Sequence, residues 1–277
     1  MQRILFVGND AGLLSAVRGL QNVPDFEVEV AAGDVDAVRR VRRRRFELVI
    51  TSPGSSIDED LALISELREA RPGLREIVLA PRATPDDVIA VIRAQVFACF
   101  TAPFNWAEVA SIVRASLTEH DWRHSIELLS ATPTWISLRV SSQLPTAERL
   151  VQFMRELAGD QPAERREDLV SAFREVLLNA MEHGAGFDPE KVIEVSAVRT
   201  DRAIVYHFRD PGQGFRKKAL PQATASPAMQ DVQAAAAFRE GAGMRPGGFG
   251  MLLVRNLVDE VIYNEPGNQV ILVKHTQ

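Results

Sequence analysis

The sequence predicts an α/β protein in two domains, the first a doubly wound parallel sheet of about five strands. Three observations lead there. Residues 3–117 alternate short apolar runs with amphipathic stretches five times, the rhythm of repeated strand–helix units. Those apolar runs are not interrupted by polar residues, as expected when helices cover both faces of a sheet. From residue 133 onward the strands change character and alternate apolar with polar residues around long amphipathic helices, which marks a second domain.

In chain order, Arg3–Gly8 reads as a buried strand, followed by Asn9-Asp10 and a helical pattern through Leu20. Phe26–Val30 is a strand, Asp34–Arg44 a helix, Leu48–Thr51 a strand, and residues 58–70 a helix. Glu76–Ala80, Pro85–Ala94, Val96–Thr101 and Asn105–Leu117 continue the alternation, the last helix opening after Pro103. Residues 107–130 read as one long helix leaving the first domain, broken by Ser130-Ala131-Thr132-Pro133. The expected division is therefore residues 1–117, a linker helix over 118–132, and residues 133–277. The second domain opens on the strand Trp135–Val140, then a helix over Thr146–Leu157 and another from near Ala163 to Gly184. Strands Val192–Arg199 and Ala203–Arg209 follow. Residues 216–246 lack periodicity and read as a lid closing on Pro246-Gly247-Gly248-Phe249-Gly250, which opens a helix through Val258. Strands Glu260–Asn264 and Gln269–Lys274 end the domain around the turn Glu265-Pro266-Gly267-Asn268.

Composition excludes several classes. A net charge of −5 argues against a general nucleic-acid or anionic-membrane binder, and no apolar run reaches transmembrane length. The basic run Arg39–Arg45 reads as the solvated end of a helix. One cysteine, Cys99, permits no disulfide within the chain and reads as a buried thiol. With no signal peptide at Met1, the expected compartment is the cytoplasm.

The first domain resembles the receiver domain of response regulators, over residues 1–117, chiefly through the positions it has lost. That resemblance puts the acidic pair on Asn9 and Asp10, the phosphoacceptor on Ser52, the hydroxyl position on Ala80 or Pro81, and the lysine on Ala102. With no acceptor carboxylate and no lysine, an acyl phosphate has neither a site to form nor a cation to hold it. A pseudo-receiver that acts through surface contacts is the expectation. His120-Asp121 resembles a kinase phosphoacceptor histidine only faintly, because a second helix to form the hairpin is missing before Pro133.

The chemistry is expected in the second domain. Glu175 and Asn179 are four residues apart and share one helical face, with His183 a turn further. Phe173, Val176, Leu177 and Ala180 form the stripe that packs. A carboxamide oxygen can ligate magnesium, and a carboxylate can orient a water or accept a proton. Asp210 ends a strand and runs into Pro211-Gly212-Gln213-Gly214; it can accept a hydrogen bond from an exocyclic amine, with Gly212 and Gly214 clearing space for base and sugar. Gly247, Gly248 and Gly250, around Phe249, free backbone N–H groups at a helix N-terminus, where phosphates bind.

These three pieces in this order resemble the GHKL ATPases, over roughly residues 133–277. Within them, Glu175–Gly184 and the tail Gly248–Val261 are most similar to the anti-sigma-factor serine kinases. The resemblance implies a two-layer α/β sandwich, ATP with magnesium on Asn179, and Glu175 as general base toward a partner's serine. It further implies an anti-anti-sigma domain or a sigma factor as partner, and commonly a dimer. His183 would lie beside the phosphates or one layer behind them, with a purely structural helix-end histidine the alternative, and Arg239 and Arg245 could reach the phosphates from the lid. Where the family has Gly-Thr in the last turn, this chain has Gly267-Asn268. A non-catalytic ATP-dependent switching module is the competing expectation, and a sensor histidine kinase a weaker one.

Overall fold

The structure, a computed structural model, describes residues 2–8, 26–118, 122–214 and 250–276. Contacts divide the chain into two units, residues 1–133 with 148–162, and residues 134–147 with 163–277.

The first unit contains β1 (Gln2–Val7), β2 (Phe26–Ala31), α1 (Asp34–Arg43), β3 (Leu48–Thr51), α2 (Ile57–Ala70), β4 (Arg75–Ala80), α3 (Pro85–Arg93), β5 (Ala98–Thr101) and α4 (Trp106–Thr118). Its strands are parallel, in the order β2-β1-β3-β4-β5. This is the doubly wound order whose crevice lies at the carboxyl ends of β1 and β3. Successive strand residues divide between two cores: Ile4, Phe6 and Ile50 pack with Val109 and Val113 of α4, while Leu5, Val7 and Val49 pack with α1 and α2. Covering both faces requires the uninterrupted apolar runs. Helices α2 and α3 start at reciprocal capping boxes, Ser56 with Glu59 and Thr84 with Asp87.

The basic run is answered from within the unit. Arg39 and Arg40 bond Asp36, Arg40 and Arg44 bond Glu29, and Arg45 meets Glu47. Such exposed pairs contribute little each, but they explain how a cationic helix end coexists with a net acidic chain. Cys99 is fully buried, and burial pushes its thiol well above the ordinary value.

One expectation is overturned. Residues 107–130 are not one helix: α4 ends at Thr118, a short α5 covers Trp122–Ser125, and Ile126–Thr132 is a strand, β6. Ile126 and Leu128 fit a strand period as well as a helical one, so apolar spacing alone does not choose between them.

Helix α6 (Leu144–Leu157) contributes its later residues to the first unit. Arg149 donates to Phe97 O (3.0 Å), Gln152 to Cys99 O (3.1 Å), and Glu156 accepts from Thr101 Oγ1 (2.6 Å). All three side chains are buried, and they line the outer edge of β5, where backbone groups would otherwise face no strand.

The second unit contains β7 (Trp135–Ser141), the start of α6, α7 (Ala163–Asn179), β8 (Val192–Arg199), β9 (Ala203–Arg209), α8 (Gly250–Leu257), β10 (Glu260–Tyr263) and β11 (Gln269–His275). Within this unit the strand order is β10-β11-β9-β8-β7, each strand antiparallel to the next. Alternate residues Ile193, Val195, Ile204, Tyr206, Phe208 and Leu272 are buried. Phe173 of α7 packs against Tyr206 and Phe208 with ring centroids 5.0 and 4.9 Å apart, so the helix lies on the sheet through its apolar stripe.

Candidate nucleotide-binding site

Packing of Phe173, Val176 and Leu177 turns Glu175 and Asn179 away from the core, where both remain partly exposed. The two side chains meet the first residue of α8. A Cβ placed on Gly250 would lie 2.5 Å from Glu175 Oε2 and 3.9 Å from Asn179 Nδ2. Asn179 Nδ2 also donates to Met251 Sδ at 3.4 Å, which leaves its Oδ1 as the atom able to face a cation. Arg174 Nη1 stands 3.9 Å from Glu175 Oε1.

Directly after Asn179 the helix widens into a π-turn over Ala180–Ala185, closed by Gly186 in the left-handed conformation at φ 70°. Single π-turns inside helices often mark functional sites. This one is anchored by Ser142 Oγ, which donates to Met181 O at 3.2 Å. The changed winding carries His183 to an exposed position, and among the described residues it makes no hydrogen bond or ion pair.

The turn also presents Gly184 to Asp210. A Cβ on Gly184 would stand 2.3 Å from both Cγ and Oδ1 of that carboxylate. Asp210 follows β9; its N–H donates to Asn268 O (3.0 Å), and its Oδ1 accepts from Gly212 N (2.8 Å). Burial raises its pKa above the usual carboxylate range, while the backbone N–H groups of Gly212 and of Asp210 itself oppose the rise. A half-buried carboxylate held in one orientation by backbone donors is a selective acceptor for an amine.

Gly212 and Gly214 have reasons beyond making room for a ligand. A Cβ on Gly212 would come within 2.8 Å of Asp210 Oδ1 and 2.9 Å of Gly184 Cα. Gly214 has φ 77°, and its Cβ would stand 2.0 Å from Pro266 O. Their lack of side chains is required by the protein itself. The Gly267-Asn268 turn completes this packing: Asn268 Nδ2 donates to Gly212 O at 3.1 Å, and Asn264 Oδ1 accepts from Gly267 N and Gln269 N. Asn268 thus holds the Asp210–Gly214 loop through both its backbone and its side chain. Sequence reading passed over Gly184 as a site residue and treated Asn268 only as tolerable. The signal for Gly184 was its place directly after His183, where a helix-ending glycine and a seat for Asp210 read alike. Gly247, Gly248, Phe249, Arg239 and Arg245 lie outside the described residues.

Among the described residues, no group of three or more His, Cys, Asp or Glu is placed to hold a metal. A magnesium ion here fits only as a partner of anionic phosphates, with the Asn179 oxygen as a protein ligand. The residues present suit that arrangement: an amide beside a carboxylate at a helix N-terminus, and a fixed acceptor in Asp210.

In the first unit, Ser52 follows β3 and Gly8 follows β1 with φ 126°; a Cβ on Gly8 would lie 2.2 Å from Ser52 Oγ. Ala80 ends β4, and Ala102 follows β5. These corners of the crevice carry neither an acceptor carboxylate nor a lysine. Asn9, Asp10, His120 and Asp121 lie outside the described residues.

The fold and the two crevices define the class: a receiver fold joined to a nucleotide-binding α/β sandwich. Residues 140–274 match the family model of the histidine kinase-like ATPase domain, and this part of the chain is such a domain. The chain is similar to the transcriptional regulatory protein GlrR of Escherichia coli, 22% identical over 147 residues, covering 51% of this chain and 33% of that one. It is also similar to the transcriptional regulatory protein PrrA of Mycobacterium tuberculosis, 27% identical over 116 residues, covering 42% of this chain and 49% of that one. The chain thus spans half or less of the length of these relatives. A response regulator from Thermotoga maritima aligns with TM-score 0.40 and 22% identity, covering 43% of this chain and 99% of that one. Among the described residues, no helix is long and apolar enough to cross a membrane.

Proposed function

We infer that the second unit is an ATP-dependent serine/threonine kinase module of the anti-sigma-factor type, under control of a first unit that takes no phosphoryl group. The observation that carries this reading is the meeting of the Glu175 carboxylate and the Asn179 amide at the N-terminus of α8. Bound ATP with magnesium supplies the transferable phosphoryl group. Asp210 accepts the hydrogen bond of an exocyclic amine and so selects adenine, and Asn179 ligates the cation through Oδ1. Glu175, with Arg174 beside it, takes the proton of a partner's serine hydroxyl as the oxygen becomes a nucleophile. A carboxylate is not required for nucleotide binding alone, and its presence against α8 supports transfer over a purely non-catalytic switch. The partner is a small anti-anti-sigma domain, a sigma factor, or both, and the acting form is a cytoplasmic homodimer.

The test is a pull-down with the full chain in the presence of ATP or ADP, followed by phosphosite mapping on the captured protein. Glu175→Gln keeps ATP affinity and loses about 10²-fold or more in transfer rate. Asn179→Ala loses magnesium-dependent ATP binding. Turnover unchanged in Glu175→Gln would remove that residue from the mechanism. ATP binding with no transfer to any captured protein would leave a switching module.

A further inference from the structure

A cavity of about 590 Å³ lies on the first unit between the end of α3 and the segment running from α5 into β6. Its size falls within the roughly 300–1,000 Å³ of small-molecule sites. Its lining combines Arg93, Arg123 and His124 with the apolar Ile92, Leu128 and Leu129, and one acid, Glu127. None of these residues has a part in the nucleotide site.

Arg123 is the anchor. One guanidinium nitrogen donates to Leu74 O at 3.3 Å, and the group lies 5.2 Å from the centroid of the Trp122 ring. Its Nε is buried and has no hydrogen-bond partner among the described residues. Burial and the neighbouring Arg68 both disfavour its charge, and Glu76 offsets them in part. Glu76 is itself engaged by Arg68 through two hydrogen bonds of 2.9 and 2.7 Å. Arg93 is exposed, and among the described residues neither it nor His124 has a hydrogen bond or ion pair. The cavity therefore gathers two guanidinium groups and an imidazole around an apolar wall. An anion suits such a lining, and the planar fork of a guanidinium fits paired phosphate oxygens.

We propose that this cavity binds a small phosphorylated organic molecule. Its phosphate is held by Arg123 and Arg93, and its body lies against Ile92, Leu128 and Leu129. The inference does not rest on the kinase reading. It makes the first unit a sensor for a soluble metabolite in place of the phosphotransfer its crevice has lost.

The probe is phenyl phosphate, titrated into the full chain and followed by calorimetry and ligand-observed NMR. Saturable one-to-one binding is expected. It weakens about tenfold or more in Arg123→Gln and Arg93→Gln, is lost in Leu128→Trp, which fills the cavity, and is unchanged in Arg82→Gln, which precedes α3 and does not line the cavity. Arg123→Gln also removes the bond to Leu74, so Arg93→Gln decides the matter should that variant unfold. Absence of saturable binding to the parent chain overturns the proposal. So does equal affinity in Arg93→Gln and Leu128→Trp, or an equal loss in Arg82→Gln, which would show unspecific charge attraction.

Discussion

Gly184 joins the helix-borne half of the candidate site to the strand-borne half, because Asp210 occupies the space a side chain would need. Gly184→Ala is therefore expected to displace Asp210, cost about 1–3 kcal/mol in stability by overpacking, and weaken adenine-nucleotide affinity more than tenfold. Calorimetric titration of ATP into the variant checks this, and unchanged affinity would sink it. Asp60 is the corresponding residue of the first unit. It is buried and accepts from Thr51 Oγ1 (2.9 Å) and Ser55 Oγ (2.6 Å), tying α2 to the loop that carries Ser52. Desolvation raises its pKa from 3.8 to about 6, against the pull of those two hydroxyls. The folded state thus holds this proton more tightly than the unfolded chain. The contribution is fully present below about pH 4 and is lost as pH rises through about 6, a change of roughly 3 kcal/mol at 1.36 kcal/mol per unit. Asp60→Asn should accordingly gain stability relative to the parent as pH rises from 4 to 7. Urea unfolding at several pH values measures it, and a pH-independent difference would remove Asp60 as the cause.

At the scale of elements, α6 and the π-turn do work that periodicity does not announce. Arg149, Gln152 and Glu156 recur at helical spacing like any solvated face, yet they are buried along the edge of β5. Arg149 also donates to Trp122 O (3.1 Å) and Ser125 Oγ (2.9 Å), and its guanidinium lies 4.2 Å from the Phe97 ring centroid. Arg149→Met keeps the stem and removes the donors, so it should cost about 2–5 kcal/mol through unsatisfied buried acceptors and lost cation–π contact. A loss below about 1 kcal/mol on urea unfolding would assign the edge's protection to packing alone. The π-turn begins directly after Asn179, so the spacing of four that sets Glu175 and Asn179 on one face does not carry on unchanged to His183. The strand β6 (Ile126–Thr132) teaches the same lesson, since Ile126 and Leu128 suit two periods and spacing alone does not choose between them.

For the whole molecule, the two units hold crevices of opposite fortune. The receiver fold is intact in strand order while its described crevice corners are Ser52, Ala80 and Ala102, so incubation of the full chain with acetyl phosphate should leave no acid-labile adduct on the first unit. Mass analysis that finds one would overturn that expectation. The sequence alone determined the α/β class in two parts, the five-stranded parallel sheet of the first, and the placing of Glu175 and Asn179 on one helix and of Asp210 at a strand end. Those signals are local: apolar runs of strand length, residues four apart on a helix, a carboxylate at a strand end. Tertiary structure decided what those residues touch. It seated Asp210 on Gly184, assigned Gly214 to the Pro266 carbonyl, brought Gly250 against Glu175, and gave Asn268 the task of holding the Asp210–Gly214 loop. Each of these contacts joins positions far apart in the chain, and a pattern read along one dimension carries no information about which distant backbone will need the space a glycine leaves.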